Sequence, residues 1–512
     1  MIRRIGSLFL LALLVLGGSA PSATAASDPT ATTRSGVWYE IFVRAWYDTN
    51  GDGIGDLNGV TARLDYLKSL GVDGIWLMPI NPSPSYHGYD ITDYEAINPQ
   101  YGTLADFDRL LREAHRRGIE VILDLVVNHT SDRHPWFLAA REPHDPHHAW
   151  YSWATAGTDL HAASATGGQA WHALGAQHYL GVFTGDMPDL DFDTPAVRTA
   201  IDDIGRFWLA RGVDGFRLDA ARHIYADFPG QVDDPAILQR NLAWWSSFRS
   251  AMTKMHPGAY LVGEVTRDDP GQLAPWYGSL DAVFDFPLAA QLIRSATSER
   301  NYGLGDLLAR TAAAIPAGRD APFLSNHDQE RVMSQLGGDA RHMRVAAAML
   351  LTLPGRTFLY YGEELGMRGT KPDPDLREPM RWHRDPHGTG ESRWKAFSAG
   401  DGPAVSVDAE QDDPHSLLAW YRALIGWRRE LPVLRDGVLH VPTITNPRLA
   451  AWELSDASGQ VLVVHNLSRQ PQTLTLGDAL RHYGRVRLAS LPGVRVAAGQ
   501  LQLPAYASVI LE

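Results

Sequence analysis

The sequence predicts an α/β protein: a (β/α)8 TIM barrel, with a small domain inserted after strand 3 and a C-terminal antiparallel β-sandwich. First, short apolar runs typical of buried strands alternate with stretches of helical periodicity along most of the chain. Second, this alternation stops over residues 130–186, which are rich in His, Gly, Trp and Ala. Third, short alternating runs such as QVLVVHNL and ASVILE follow residue 431 and indicate a separate β domain.

Eight strand signals support the barrel, and most are followed by a helix. The strands are expected at VWYEIF (37–42), VDGIWLMPI (72–80), IEVILDLVVNH (119–129), VDGFRLD (213–219), AYLVGEV (259–265), AVFDFP (282–287), PFLSNHD (322–328) and RTFLYYG (356–362). The helices are expected at residues 57–70, 104–117, 195–211, 241–255, 304–315, 340–353 and 416–430. Pro195 opens one helix and Gly118 ends another, which are the usual helix start and stop signals.

The domain boundaries follow from these pattern changes. We expect the barrel in residues 27–129 and 187–430, the inserted domain in residues 130–186 and the β-sandwich in residues 431–512. A chain of 512 residues is too long for one average domain, which agrees with this division.

Residues 1–26 read as a secretory signal peptide. Arg3 and Arg4 precede an apolar run at residues 8–16, which is too short to span a bilayer, and small residues then lead to a cleavage site after Ala25 or Ala26. No later run is apolar enough to cross a membrane. We therefore expect a secreted protein, extracellular or periplasmic, with no membrane association.

Charge and cysteine content exclude several classes of partner. The net charge of −13 argues against binding to nucleic acid or to an anionic membrane. The chain has no cysteine, so it has no disulfide and no thiolate metal site, and bound Ca²⁺ is one way to stabilise an exported protein of this kind. We expect a monomer.

Three carboxylates stand at the ends of predicted strands: Asp219, Glu264 and Asp328. The C-terminal ends of barrel strands are where this architecture builds its active sites, and paired acids there suit cleavage of a glycosidic bond. Arg217 lies two residues before Asp219 and so shares its face of the strand, where it would hold Asp219 ionised as a nucleophile. The apolar residues before Glu264 would raise its pKa, as a general acid requires, and His327 stands beside Asp328.

Further motifs surround these acids. They are DLVVNH (124–129), GFRLDAARH (215–223), GEV (263–265), NHD (326–328), MPDLD (187–191), HGYDITDY (87–94) and EELGMRG…REPMRW (363–382). In combination they resemble the α-amylase family, glycoside hydrolase family 13, in the branch near oligo-1,6-glucosidases and neopullulanases.

The resemblance implies a role for each matching residue. Asp219 would be the nucleophile of a retaining reaction, Glu264 the acid/base and Asp328 the stabiliser of the transition state. Arg217, His129 and His327 would contact sugar hydroxyls, and Tyr89 would stack under the ring at the cleavage site.

The segment DTNGDGIGD predicts a Ca²⁺ site. Oxygen ligands at alternate positions suit a hard cation: side chains of Asp48, Asn50, Asp52 and Asp56, with the backbone carbonyl of Ile54. The segment is not an EF-hand, because its twelfth position is Gly59. It resembles the calcium loop of the oligo-1,6-glucosidase branch.

A second, weaker Ca²⁺ site is implied by the same resemblance. It would lie between the barrel and the inserted domain and would use Asn128, Asp189 and the carbonyl of His223.

These features predict an α-amylase that cuts α-1,4 bonds in starch or maltooligosaccharides, which would be its partners. Arg222 after the nucleophile, His87 and the long insert resemble an endo-acting amylase. Asp90 instead occupies the place where exo-acting α-glucosidases bind the terminal glucose. An exo-acting α-glucosidase or a maltogenic or cyclomaltodextrin-hydrolysing enzyme is therefore the alternative, followed by a transglycosylating or isomerising enzyme. A non-catalytic glucan-binding protein on the same fold is a further alternative, which the presence of all three acids disfavours.

Overall fold

The structure is a computed structural model that describes residues 36–226, 228–398 and 400–512. The predicted signal peptide, residues 1–26, lies outside the described residues. Within the described residues, no helix combines the length and the apolar character that crossing a bilayer requires.

The strands fall into a parallel barrel sheet, a hairpin in the insert and two antiparallel sheets near the C-terminus. In chain order they are β1 (Val37–Ile41), β2 (Gly74–Leu77), β3 (Glu120–Leu125), β4 (Trp171–Leu174), β5 (Gln177–Leu180), β6 (Gly215–Leu218), β7 (Tyr260–Gly263), β8 (Ala282–Val283), β9 (Thr357–Tyr360), β10 (Val438–His440), β11 (Leu449–Asp456), β12 (Gly459–Asn466), β13 (Gln472–Thr475), β14 (Val486–Ala489), β15 (Arg495–Ala497), β16 (Gln500–Leu503) and β17 (Ser508–Leu511).

Most of the helices lie between successive barrel strands in the chain, whereas α5 belongs to the insert and α16 follows the barrel. They are α1 (Val43–Trp46), α2 (Leu57–Ala62), α3 (Leu64–Leu70), α4 (Leu104–Arg116), α5 (Pro135–Ala140), α6 (Pro195–Arg211), α7 (Pro235–Met255), α8 (Pro270–Leu273), α9 (Phe286–Ser298), α10 (Leu304–Ala314), α11 (Val332–Gln335), α12 (Ala340–Leu351), α13 (Asp373–Leu376), α14 (Val407–Glu410), α15 (Leu417–Glu430) and α16 (Val433–Asp436). Short 3-10 helices lie at Pro146–Trp150, Ala221–His223, Pro229–Gln231, Ala274–Gly278 and Glu363–Leu365.

Local sequence signals account for where these helices begin and end. Thr103 and Asp106 form a capping box at the start of α4, which ends just before Gly118 as predicted. Pro195 opens α6, and Gly212 ends it in the left-handed conformation. Two predictions need correction: α7 begins at Pro235 rather than at residue 241, and the predicted helix over residues 57–70 is two helices.

The barrel sheet confirms the predicted fold class, with strand order β8-β7-β6-β3-β2-β1-β9 and parallel pairing throughout. The seventh predicted strand, residues 322–328, is not regular. A single bridge between Phe284 and Ala321, with a 2.9 Å hydrogen bond from Phe358 N to Pro322 O, closes the gap between β8 and β9. Pro322 has no N–H to donate, which explains why the ladder stops there.

An apolar layer fills the barrel interior beneath the strand ends. It contains Trp38, Trp76, Ile122, Tyr260, Val262, Ala282, Phe284, Phe323 and Phe358. Residues two positions further along a strand share the same face, so Glu40, Asp124 and Glu264 project into the barrel above this layer. The barrel therefore changes from apolar to charged near its C-terminal end.

The insert follows β3 and is built mainly from irregular chain. It contributes α5 and the β4–β5 hairpin. An isolated bridge at Tyr151–Leu190 joins it to the barrel, and a second bridge at His129–Asp189 pairs the two barrel segments that flank it. Aromatic rings supply its core, with Phe137 edge-on to Tyr151 at 5.0 Å and to Tyr179 at 4.9 Å between ring centroids. The exact domain boundaries stay predictions.

The C-terminal domain is a sandwich of a five-stranded sheet (β10-β11-β12-β17-β14) and a three-stranded sheet (β13-β16-β15). The larger sheet is buried on both faces. Along β12, Leu462 and Val464 belong to the core between the two sheets, whereas Val461 and Val463 pack on the barrel side. This two-sided burial explains the continuous apolar run in β12.

Glu299 joins the end of α9 to the sandwich domain. Its carboxylate accepts hydrogen bonds from Arg469 Nε at 3.0 Å and from Tyr506 Oη at 2.8 Å, and His342 Nε2 lies at 3.5 Å. Partial burial alone would raise the pKa of Glu299, but the bonds from Arg469 and Tyr506 lower it to about 2.

We expect Glu299→Gln to lower the free energy of unfolding at neutral pH by about 1–2 kcal/mol, because it weakens charge-assisted hydrogen bonds between two domains. The folded-state pKa is depressed, so the difference from the wild type should be complete above pH ~4.5 and shrink as the pH falls toward ~2. Urea unfolding across this pH range measures it.

Glu430→Gln is the matched control, since Glu430 pairs with Arg487 of the sandwich domain at 2.5 Å but is exposed. It should cost less than about 0.5 kcal/mol. Equal losses for the two variants, or a loss at Glu299 that does not change with pH, would contradict the prediction.

Candidate active site

A cleft of about 470 Å³ opens at the C-terminal end of the barrel sheet. Most of the sequence-predicted site residues meet there. The lining comprises Tyr86, His87, Tyr89, His129, Thr166, Phe183, Thr184, Met187, Asp219, Ala220, Arg222, His223, Glu264, Thr266, Asp328, Lys371, Asp373 and Arg377. One wall is formed by the insert, and the opposite wall by the loops after β2 and β9.

Arg217 is the central charge beneath this cleft. Its guanidinium is 1% exposed and bonds three carboxylates: Nη1 donates to Asp124 at 2.9 Å and to Asp219 at 2.5 Å, while Nη2 donates to Glu264 at 2.7 Å. Bonds to neighbouring nitrogens of one planar group bring the carboxyl groups of Asp219 and Glu264 together. The predicted pairing of Arg217 with Asp219 is therefore present, and the same arginine also binds two further acids.

The turn after β6 fixes the other contact of Glu264. Ala220 adopts a left-handed backbone with φ of 43°, and its N–H donates to Glu264 Oε2 at 3.0 Å. Because Ala220 directly follows Asp219, this turn ties the two acids through the backbone as well as through Arg217. A non-glycine residue in this region is strained, and such strain concentrates at functional sites.

Burial raises the pKa of both Asp219 and Glu264, with Arg217 acting in the opposite direction. For Glu264 this agrees with the prediction that desolvation favours the protonated acid. For Asp219 the desolvation outweighs the lowering effect of Arg217, because one cation is shared among three carboxylates. Burial likewise raises the pKa of Asp124, to about 7.

Asp328 lies in the opposite electrostatic environment. Its Oδ1 accepts from Arg377 Nη2 at 2.7 Å, and its Oδ2 lies 3.2 Å from His327 Nε2. Burial would raise its pKa, but His327 and Arg377 hold that pKa well below the usual range. These two cations therefore favour the ionised form of Asp328, whose side chain is 46% exposed at the cleft.

His327 and Tyr89 form a stacked pair at the base of the cleft. Their ring planes lie 14° apart with centroids 5.6 Å apart, and Tyr89 Oη is 2.6 Å from His327 Nε2 and 3.0 Å from Asp124 Oδ2. Tyr89 lines the cleft, as its predicted stacking role requires, whereas His327 and Arg217 are buried beneath it. Contact of these two residues with a sugar hydroxyl stays a prediction.

His129 lines the cleft and is held by its neighbours, with Nδ1 3.1 Å from Asn128 Oδ1 and Nε2 3.2 Å from Tyr89 O. Burial lowers the pKa of His129 to about 4 and that of His223, also in the lining, to about 4. Both imidazoles are thus neutral near pH 7.

The residues of the predicted second Ca²⁺ site lie near one another and make hydrogen bonds of their own. Asn128 Nδ2 donates directly to the carbonyl of His223 at 2.8 Å, and Asp189 Oδ1 accepts from Val182 N at 3.2 Å. The amide of Asn128 thus bonds the carbonyl that was expected to bind calcium, and this bond joins the segments that follow β3 and β6. A second Ca²⁺ at these residues stays a prediction.

Asp90 lies behind the cleft wall. It is 1% exposed and absent from the lining, and its Oδ1 accepts hydrogen bonds from Ser83 Oγ, at 2.5 Å, and from Ser85 Oγ. His87 Nδ1 lies 3.9 Å from the same oxygen and does line the cleft. Arg222 also lines it, with Nη1 donating to Thr266 O at 2.6 Å.

The predicted calcium loop, residues 48–56, is a series of tight turns. Asp48 accepts from the N–H groups of Asn50, Gly51 and Gly53, and Asp56 accepts from those of Thr49 and Gly59. In the described chain no group of three or more His, Cys, Asp or Glu side chains is placed to hold a metal, so a cation here needs the Asn50 amide and the Ile54 carbonyl as well.

Sequence reasoning missed Glu40, Asp124 and Arg377 as site residues. Glu40 Oε1 lies 2.5 Å from His327 Nδ1, Asp124 bonds Arg217 and Tyr89, and Arg377 bonds Asp328. The available signal was a charged residue inside an otherwise apolar strand, in VWYEI for Glu40 and in EVILDL for Asp124.

We expect Arg217→Leu to lower the free energy of unfolding by about 3–5 kcal/mol, because it leaves three buried carboxylates without their cation. Those carboxylates would then bind protons more tightly in the folded than in the unfolded state. Stability of the variant should therefore fall as the pH rises from about 5 to about 8. Chemical unfolding at several pH values measures the slope.

Arg428→Leu is the control, since Arg428 is equally buried but donates to backbone carbonyls, including those of Leu353 and Gly355. Arg428→Leu should lower the free energy of unfolding by an amount that does not change between pH ~5 and pH ~8. The same pH dependence in both variants would contradict the assignment of Arg217 as the cation of this cluster.

Comparison with known proteins identifies the family of the chain. The family described as "Alpha amylase, catalytic domain" matches residues 40–437, and "Alpha-amylase SusG C-terminal domain" matches residues 449–510. Alpha-amylase 3 of Dictyoglomus thermophilum is 37% identical over 487 residues, which cover 94% of this chain and 93% of that protein.

Two further similarities differ in named activity. The crystal structure of an α-amylase from H. orenii superimposes with a TM-score of 0.85 at 40% identity, covering 94% of this chain and 99% of that one. The trehalose synthase/amylase TreS of Mycobacterium tuberculosis is 32% identical, covering 88% of this chain and 84% of that protein. The fold, the acid cluster and these matches together show that the chain is an enzyme belonging to the α-amylase family, glycoside hydrolase family 13.

Proposed function

We propose that the protein is an exported, retaining α-amylase that cleaves α-1,4 bonds within starch or maltooligosaccharides. The observation that carries the proposal is the single guanidinium of Arg217, which bonds both Asp219 and Glu264 beneath an open cleft. Retaining glycosidases need their two carboxyl groups about 5–5.5 Å apart, so that one can attack the sugar while the other protonates the leaving group.

The proposed reaction assigns one task to each acid. Asp219 attacks the anomeric carbon as Glu264 gives its proton to the glycosidic oxygen, and Glu264 then takes a proton from the water that releases the sugar. The raised pKa of Glu264 favours the protonated form needed first. Asp328, kept ionised by His327 and Arg377, supplies negative charge where the oxocarbenium-like transition state develops positive charge.

The position of Asp90 supports endo action over exo action. A carboxylate that closes the site around a terminal glucose has to reach the cleft, but Asp90 is buried and bound to Ser83 and Ser85. Thr166 and Thr184 of the insert line the cleft and are exposed to solvent. A longer chain can therefore extend past the cleavage point.

The alternative is an exo-acting α-glucosidase, a maltogenic or cyclomaltodextrin-hydrolysing enzyme, or a transglycosylating enzyme. The similarity to TreS, whose name includes both trehalose synthase and amylase, supports the transglycosylating enzyme as an alternative. Hydrolysis and transfer share the same acids and differ in how well the cleft excludes water from the glycosyl-enzyme.

We expect a rapid fall of iodine staining on soluble starch, with mixed short products released as α-anomers, because the cleft admits internal bonds and the mechanism retains configuration. Iodine absorbance, product chromatography and NMR of the fresh anomer, on starch and on maltotetraose, measure this. Glucose or maltose alone with slow loss of staining would establish exo action, and β-anomers would overturn the retaining mechanism.

Asp219→Asn is the catalytic control for this experiment. It should lower turnover by roughly 10³-fold or more while glucan affinity stays close to that of the wild type. Asp159→Asn, on the exposed surface of the insert, should behave as the wild type does. Unchanged turnover in Asp219→Asn would contradict the nucleophile assignment.

We also propose that the DTNGDGIGD loop binds Ca²⁺ as a structural cation. Asp48 and Asp56 are buried, and among the described residues no Lys or Arg side chain pairs with them or with Asp52. Buried carboxylates without a cation are costly, and the oxygen-only donor set suits calcium. The ion would hold the chain between α1 and α2 and would take no part in the chemistry.

We expect a chelator to lower the melting temperature, because it removes the free energy of stabilisation that bound calcium supplies. That free energy is about 2–4 kcal/mol when calcium is present at roughly 100 to 1,000 times its Kd. Asp48→Asn should lower stability and remove the response to chelator, whereas Asp159→Asn should keep it. An unchanged melting curve, with no metal in the purified protein by mass spectrometry, would exclude the calcium proposal.

Export is proposed from residues 1–26 of the sequence. The intact mass of the protein recovered outside the cytoplasm should correspond to cleavage after Ala25 or Ala26; a mass that still includes residue 1 would contradict it.

A further inference from the structure

Glu40 is a buried acid that faces the catalytic cleft from below. It lies near the end of β1, is 2% exposed, and follows Trp38 of the apolar barrel layer by two positions, so both side chains point into the barrel. Its carboxylate lies 2.5 Å from Nδ1 of His327, and His327 is fully buried. Within the described residues, His327 is the cationic group that pairs with Glu40.

The hydrogen bonds on the far side of His327 fix where its protons lie. Nε2 is 2.6 Å from Tyr89 Oη, and Tyr89 Oη is 3.0 Å from Asp124 Oδ2. Asp124 accepts from Arg217 at Oδ1 and from Trp76 at Oδ2, so both of its oxygens serve as acceptors. The single proton of Tyr89 is directed to Asp124, and the proton between Tyr89 and His327 therefore belongs to Nε2.

We propose that Glu40 is a positioning residue that holds His327 as the doubly protonated imidazolium, whose Nε2–H anchors Tyr89 and Asp328 at the base of the cleft. Nδ1–H donates to Glu40 and Nε2–H donates to Tyr89, with Asp328 Oδ2 at 3.2 Å from the same nitrogen. Glu40 thus acts on the stacking tyrosine and on the third acid through one ring, without touching the substrate.

The surrounding charges are consistent with this state. Although burial would lower the pKa of His327, the neighbouring Asp328 and Glu40 raise it to about 10. The titratable and charged groups that face His327 from the elements packed against it are Glu40, Tyr89, Asp124, Asp219, Asp328 and Arg377. Of these, Glu40 lies outside the cleft lining and can be changed without removing a group that lines the cleft.

The inference rests on the proposed glucan hydrolysis and is tested with Glu40→Gln in the full-length protein. The amide can still accept the Nδ1–H bond, but it no longer supplies negative charge. His327 should then lose its proton at a lower pH, since a raised pKa keeps the charge only below the folded-state value. We expect kcat within about threefold of the wild type near pH ~6 and at least tenfold lower by pH ~9, with KM changing less.

Glu364→Gln is the matched control. Glu364 is also fully buried and bonds through one oxygen to Tyr39 Oη at 2.7 Å and to Tyr66 Oη at 2.5 Å, outside the cleft lining. Its pH profile of kcat on a chromogenic maltotrioside should coincide with that of the wild type. A Glu40→Gln profile parallel to the wild type, or a loss independent of pH and matched by Glu364→Gln, would overturn the proposal.

A second measurement does not depend on activity or on the folding of Glu40→Gln. In wild-type protein labelled with ¹⁵N-histidine, the resonances that disappear in His327→Gln should be those of a doubly protonated ring at pH ~8. A neutral His327 at that pH overturns the proposal. If the wild type releases no sugar from any glucan, the proposed function fails, and this spectrum still decides whether His327 is doubly protonated; the spectrum of Glu40→Gln at the same pH then decides whether Glu40 holds it so.

Discussion

The buried cation Arg217 is the constraint on which the rest of the site depends. An apolar layer fills the barrel just below it, so the acids above have little water to solvate them. Carboxylates in such a place require a cation with several donors in fixed directions, and the planar guanidinium provides these where a lysine could not. The positions of Asp124, Asp219 and Glu264 all follow from the nitrogens of this one group.

A second set of contacts gives the cleft two kinds of acid. Arg217 is shared among three carboxylates, and burial leaves the pKa values of Asp219 and Glu264 raised. Asp328 instead has His327 and Arg377 close by, and its pKa is held low. Environments that push neighbouring carboxyl groups apart in pKa allow them to take different roles in one reaction. In this chain the separation depends on which cation each acid contacts, since all three stand at the C-terminal end of the barrel sheet.

The parts outside the barrel shape the cleft and support its frame. The insert lacks long regular elements, but its packed aromatic rings hold Thr166 and Phe183 at the cleft wall. The sandwich domain packs one face of its larger sheet on the barrel, as the two burial environments within β12 show. The sandwich domain thus packs against the barrel but contributes no residue to the cleft lining.

The sequence by itself determined the fold class, most strand and helix positions, and the three acids with Arg217. These follow from local rules: two- and 3.6-residue periodicity, capping residues, and charges at the ends of apolar strands. The tertiary structure alone decided that residues 322–328 would not form a full strand, that Asp90 would turn toward Ser83 and Ser85, and that Glu40 and Arg377 would join the site. Glu40 and His327 are 287 positions apart, and Arg377 and Asp328 are 49 apart. Such partners meet only when the barrel closes. The burial of a side chain at a strand end, and the direction in which it points, depend on the distant residues that pack around it.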